Sequence, residues 1–138
     1  MRFLIICTGN SCRSQMAEYF LKSFDSTLEV YSAGTNPEKK VNPRTIMVMN
    51  EIGIDLSDSK PKDVDIFLTD AFDYVITVCD NARKTCPVFR GMVKNRLHMG
   101  FEDPAITTGT EEEVMTFYRT IRNQIKDQFY QFYLEIKS

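Results

Sequence analysis

Arg2 to Cys7 reads RFLIIC, an apolar run with no polar alternation. A strand of that kind has no face to give to water, so it belongs inside a sheet covered on both sides. The next residues, Thr8 to Ser14 (TGNSCRS), are small and polar and include Gly9, which is free to take a positive φ. From Ser14 onward, Ala17, Phe20, Leu21 and Phe24 fall at helical spacing. The chain therefore opens with a strand, a tight loop and a helix.

The same grammar continues. Leu28 to Ser32 (LEVYS) predicts a second strand, ended by Ala33-Gly34. Asn42-Pro43 has the form of a helix start, and Ile46, Met49 and Ile52 then share a face up to Gly53. Val64, Phe67, Leu68 and Ala71 predict a short helix over Asp63 to Ala71. Tyr74 to Cys79 (YVITVC) is β-branched and nearly continuous, a third strand, and Arg96 to Met99 is a fourth. Thr110 to Glu113 has the form of a capping box. It precedes Val114, Phe117, Ile121, Ile125, Phe129, Phe132 and Ile136 at three- and four-residue steps. Strands alternating with helices predict an α/β fold: a four-stranded parallel sheet in the order 2-1-3-4 with helices on both faces, one domain over residues 1–138. Ligands of such sheets bind outside the carboxyl ends of the strands. Cys7, Cys79 and the segment after Met99 all fall there.

Charge excludes several partners. Seventeen basic against nineteen acidic residues leave a net charge of −2, with no general attraction for nucleic acid or anionic lipid. The early apolar run ends at Cys7, too short for a signal-peptide core or a membrane span, so a cytoplasmic location and no membrane association are expected. In that reducing compartment the four cysteines, Cys7, Cys12, Cys79 and Cys86, point to catalytic, redox or metal roles rather than permanent disulfides. His98, the single histidine, reads as a packed or hydrogen-bonding residue, and Lys39-Lys40 as part of a solvated loop.

Cys7 to Ser14 has the form Cys-x5-Arg-Ser between a strand and a helix. A loop curled into a helix N-terminus aims several backbone N–H groups at one point, where the helix dipole favours negative charge. Thr8, Gly9, Asn10, Ser11 and Cys12 supply that loop, and Arg13 adds a planar fork of donors suited to a tetrahedral oxyanion. In such a field Cys7 is expected to be a thiolate at neutral pH, with Ser14 in reach to hydrogen-bond its sulfur.

Ile6 to Glu18 (ICTGNSCRSQMAE) resembles the signature of the low-molecular-weight protein tyrosine phosphatases and of the arsenate reductases built on the same fold. Tyr31 to Gly34, Val41 to Pro43 and Gly100 to Ala105 (GFEDPA) extend the likeness over nearly the whole chain. The resemblance implies that Cys7 is the nucleophile, Arg13 the oxyanion clamp, Asp103 the general acid and Asn10 the residue that holds the loop.

Cys79 to Pro87 (CDNARKTCP) distinguishes the two activities. Reducing arsenate takes two electrons, which two thiols supply by becoming a disulfide. This Cys-x6-Cys-Pro pair resembles that of thioredoxin-linked arsenate reductases, and Ala105-Ile106 stand where the phosphatases carry aromatic residues. The resemblance implies attack by Cys7 on arsenic, a Cys7–Cys79 disulfide that expels arsenite, and then a Cys79–Cys86 disulfide reduced by an external dithiol, thioredoxin. No bound cofactor is expected, some phosphatase activity persists, and the protein is expected to be a monomer. Alternatives are a phosphatase that uses Cys7, Arg13 and Asp103 alone, and a non-enzymatic oxyanion or zinc module. If Asn81 to Thr85 is helical, about 10 Å of rise separates Cys79 from Cys86. A disulfide needs Cα atoms within about 7 Å, so the segment from Asp80 to about Arg90 is expected to move. Some related reductases carry a potassium site, whose first three positions match Asn10, Glu18 and Ser32. The fourth falls at Lys62, where an ammonium stands in for an acid.

Overall fold

The computed structural model describes residues 1–137. The central strand is β1 (Arg2–Cys7), followed by α1 (Arg13–Phe24), β2 (Glu29–Gly34) and α2 (Pro43–Asn50). A 3-10 turn at Val64–Phe67 leads to β3 (Phe72–Thr77), α3 (Asp80–Thr85) and β4 (Val93–His98). A second 3-10 turn at Pro104–Ile106 precedes α4 (Glu111–Ile136). All strand pairs are parallel, in the order β2-β1-β3-β4, as the sequence predicts.

Residues 3 to 7 of β1 are all buried. Successive side chains of a strand point to opposite faces, so this run means cover on both sides of the sheet. On one face Phe3 stacks on Tyr74 and meets Phe132 of α4 edge-on. Across the sheet Tyr31, beside Leu4 in the register, packs against Phe67. Full burial of side chains of this size contributes roughly 1.5–3 kcal/mol each.

Local chemistry fixes the helix ends. Asn42 caps α2 by accepting from the Arg44 N–H, and Gly53 closes the turn beyond it at φ 82°. Thr110 and Glu113 form the expected reciprocal capping box. In α4 Phe129 is fully buried, and so is Tyr118 rather than its neighbour Phe117; the Tyr118 hydroxyl has a partner inside, accepting from Asn42 Nδ2 at 3.0 Å.

Several boundaries differ from the sequence reading, β2 among them, which runs Glu29–Gly34 and takes in the Ala33-Gly34 expected to end it. The helix expected over Asp63 to Ala71 is only the 3-10 turn, and Leu68 just beyond it gives its carbonyl to the Arg90 and Gly91 N–H groups. β3 begins two residues earlier and ends at Thr77, since Asp73 is tolerated in it by accepting from the Arg2 N–H at 2.7 Å and pairing with Lys94. β4 begins at Val93 rather than Arg96. It is an edge strand, exposed from Lys94 to Leu97, and so carries little apolar signal.

Cys7 lies opposite Gly34 in the β1–β2 register. A Cβ on Gly34 would stand 2.4 Å from the Thr8 carbonyl oxygen, so only glycine lets the loop after β1 sit this close. Gly34→Ala is expected to lower stability by about 1–3 kcal/mol and to weaken oxyanion binding. Thermal unfolding with and without sulfate checks this, and an unchanged transition with intact sulfate protection would contradict it.

Candidate active site

The loop from Thr8 to Cys12 is stitched in place by backbone bonds from the segment after β2. Thr35 N–H donates to the Cys7 carbonyl, Asn36 to Thr8, Glu38 to Gly9 and Asn42 to Ser11, at 2.9–3.1 Å. The residue in the left-handed region is Asn10 (φ 51°) and not Gly9, correcting the sequence expectation. Asparagine tolerates that conformation, and here its side chain is fully committed. Nδ2 donates to Ser14 Oγ and Ser32 Oγ at 2.8 and 2.9 Å, and Oδ1 accepts from the Lys62 N–H and from Gln15. Asn10 thus holds the loop.

Ser14 departs from its expected role. Its hydroxyl is the acceptor for Asn10, and its side chain does not line the groove. Cys7 to Arg13 do line it, together with Lys39, Lys40 and Asp103. The two lysines bring positive charge to the mouth of an anion site, a placement that a polar loop sequence does not reveal. Arg13 is nearly buried: Nη1 donates to the Phe101 carbonyl at 3.0 Å, and Nη2 lies 3.6 Å from Asp103. Its Nε is buried with no protein acceptor, so this donor suits an incoming oxyanion. Asp103 caps the second 3-10 turn and keeps its carboxylate partly exposed beside Arg13.

Cys79 stands against this loop. Its sulfur is 3.7 Å from the Cys7 sulfur and 3.4 Å from both Thr8 Oγ1 and the Ala82 N–H. Two thiols so close in a buried site cannot both ionise without strong repulsion, so the pair carries one negative charge. The Cys7 S–H, the Thr8 hydroxyl and the Ala82 N–H hold the Cys79 thiol down to about 5, against the opposing effect of burial. Cys7 is pushed up, chiefly by donating to Cys79 and by burial, while Arg13 pulls the other way. The two sulfurs therefore share one thiolate charge, which Arg13 favours on either of them.

The other thiols are quiet. Burial pushes Cys12 up to about 12, and Cys86 is half-buried with its pKa raised by desolvation. Cys79 and Cys86 are the two caps of α3, which is helical over Asp80 to Thr85. Arg83 and Cys86 donate their N–H groups back to the Cys79 and Ala82 carbonyls, as that helix requires. His98 takes the hydrogen-bonding role expected of it, joined to Thr77 Oγ1 at 2.8 Å and to Asp80 at 3.2 Å.

Asn10, Glu18 and Ser32 also meet, for Glu18 accepts from Ser32 Oγ. However, two ammonium groups face its carboxylate, Lys22 in direct contact and Lys62 at 4.0 Å. This set does not fit a potassium ion. Among the described residues, no three His, Cys, Asp or Glu side chains converge as a metal centre, which leaves the zinc reading without a site.

A cysteine at the base of a strand-loop-helix anion cradle, with an arginine beside it and an acid across the groove, defines a phosphatase-type oxyanion site on a parallel sheet. The sequence pattern of low molecular weight phosphotyrosine protein phosphatases matches residues 2–138, and the chain belongs to that family. An arsenate reductase of Shouchella clausii is 46% identical over 121 residues, covering 87% of this chain and 86% of its own length. Among solved structures, an arsenate reductase in the phosphate binding state superposes with a TM-score of 0.81 at 29% identity, over 98% of both chains. A thioredoxin-dependent arsenate reductase of Corynebacterium glutamicum gives 0.62 at 29% identity, over 97% of this chain and 62% of its own.

With one charge shared by Cys7 and Cys79, and Cys12 and Cys86 raised, the reduced protein is expected to carry one thiolate at neutral pH. That charge disappears as the pH falls through about 5. Ultraviolet thiolate titration reads the count directly, and none or two at neutral pH would contradict the shared charge.

Proposed function

We propose that this chain is an arsenate reductase that works by a relay of Cys7, Cys79 and Cys86. The observation that carries the reading is the 3.7 Å contact between the Cys7 and Cys79 sulfurs at the anion cradle, with Cys86 at the far end of the same short helix. A phosphatase has no use for a second thiol there.

Arsenate enters the cradle of backbone N–H groups and Arg13. Cys7 attacks arsenic as its proton passes to Cys79, and Asp103 protonates the oxygen that leaves as water. Cys79 then passes its proton to the Asp103 carboxylate left by the first step, through solvent in the groove, and attacks the Cys7 sulfur. The arsenic–sulfur bond breaks, its electron pair stays on arsenic, and arsenite departs from a Cys7–Cys79 disulfide. Overall, the Cys7–Cys79 pair loses its one proton and two electrons, arsenic gains the electrons, and one oxygen becomes water with the proton relayed by Asp103. Cys86 next gives its proton to solvent as it attacks Cys79, freeing Cys7 as a thiolate.

The last exchange requires α3 to unwind, because about 10 Å of helical rise lies between its two caps. Unwinding brings Cys86 and Pro87 outward, where an external dithiol such as thioredoxin reduces the Cys79–Cys86 bond. The relay depends on reduced thiols at rest, which supports a cytoplasmic location. No helix among the described residues is long and apolar enough to cross a membrane. The same Cys7, Arg13 and Asp103 also suit slow hydrolysis of a phosphate monoester.

Single-turnover assays of Cys79→Ser and Cys86→Ser test the relay. Cys79→Ser is expected to lose arsenite release by at least about a hundredfold while keeping most aryl phosphate hydrolysis. Cys86→Ser is expected to release arsenite once and stall at the Cys7–Cys79 disulfide. Arsenate turnover that survives both substitutions would sink the proposal. Amide exchange of residues 80–90 is expected to accelerate in the oxidised protein, and equal protection in both states would count against the unwinding of α3.

A further inference from the structure

The second residue of α3, Asn81, touches none of the reacting atoms, yet its amide Nδ2 donates to Thr8 Oγ1 at 2.9 Å. A hydroxyl has one proton to give. With a lone pair taken by Asn81, and Cys79 Sγ the acceptor at 3.4 Å on its other side, the Thr8 proton is directed at the sulfur. We infer that Asn81 is a positioning residue for Cys79, fixing the direction of the Thr8 hydroxyl so that the loop donates to the second nucleophile. The inference rests on the reading of Cys79 as that nucleophile.

The geometry gives the contact a second consequence. Asn81 is held by α3, where its carbonyl accepts from Thr85 Oγ1 at 2.7 Å. When α3 unwinds to join Cys79 to Cys86, Asn81 leaves Thr8 and the hydroxyl is free to turn. Support for a Cys79 anion is therefore present before the first disulfide and withdrawn after it.

The other charged and titratable groups around Cys79 are Cys7 at the end of β1, Arg13 of α1, and Asp80 of α3 with its partners Arg83 and His98. Substitutions at Asn81 and Thr8 leave Asp80, Arg83, Arg13 and His98 in place, so a double-mutant cycle isolates the relay. The protein used carries Cys79 as its sole thiol (Cys7→Ala, Cys12→Ala, Cys86→Ala), and its thiolate absorbance is titrated. Asn81→Ala is expected to raise the Cys79 midpoint by about one pH unit when Thr8 is present. In a Thr8→Val background the same change is expected to move it by less than about 0.3 unit, and Thr8→Ser is expected to restore the effect.

An equal shift in both backgrounds, or none with Thr8 present, overturns the inference. Asn81→Asp supplies a second reading, since a carboxylate favours the first turn of a helix but accepts the Thr8 proton. Its shift is expected to exceed that of alanine with Thr8 and to shrink with valine, and a shift independent of residue 8 overturns the inference. Because the readout is a thiol titration, a failed relay in arsenate turnover leaves this result separately decided.

Discussion

β1 is paired on both edges and covered on both faces, and the site is built outward from that one buried strand. Parallel pairing with β2 and β3 sends all three carboxyl ends to the same edge of the sheet. On one side Cys7 meets Gly34, whose missing side chain lets the loop close down on the segment that follows β2. On the other side the pairing continues past the strand, with Val78 N–H donating to the Ile6 carbonyl at 3.0 Å, so Cys79 arrives one residue later beside Cys7. Loosening β1 would separate the two sulfurs as well as unfold the core.

The four thiols show how environment divides one chemistry into roles. Cys7 and Cys79 share one negative charge because their sulfurs touch and the Thr8 hydroxyl, the Ala82 N–H and Arg13 favour it, whereas Cys12 is silenced chiefly by burial. Cys86 waits half-buried at the end of a short helix. A helix of six residues has little intrinsic stability, since nucleation costs nearly as much as so few bonds return. That makes α3 suited to opening. Its closed state is held by contacts beyond its own bonds, namely Asn81 to Thr8, and Asp80 to His98.

Where the sequence reading held, the cause was local. The cap residues Asn42 and Thr110 act through neighbours a few residues away, and the apolar run of β1 and the Cys-x5-Arg-Ser spacing are contiguous in the chain, so their pattern survives in one dimension. It failed where partners are distant. Phe117 and Tyr118 are both aromatic at plausible positions, and only the Asn42 amide from another helix selects Tyr118 for the interior. β4 is exposed along most of its length, so lateral pairing to β3 defines it while its hydrophobic pattern does not. Asn10 displaced Gly9 as the left-handed residue because Ser32 and Lys62, remote in sequence, satisfy its amide there.

Sequence alone determined the parallel α/β class, the anion loop with its arginine, and the spacing of the thiol pair, because these depend on periodicity, on short-range backbone geometry and on counting. Only the folded chain decided that Cys7 and Cys79 share one negative charge, that Lys22 and Lys62 already compensate Glu18, and that Asn81 reaches Thr8. Those depend on distances of a few ångströms between residues far apart in the chain. Electrostatic energy at that range changes faster with position than any pattern of residue types can record.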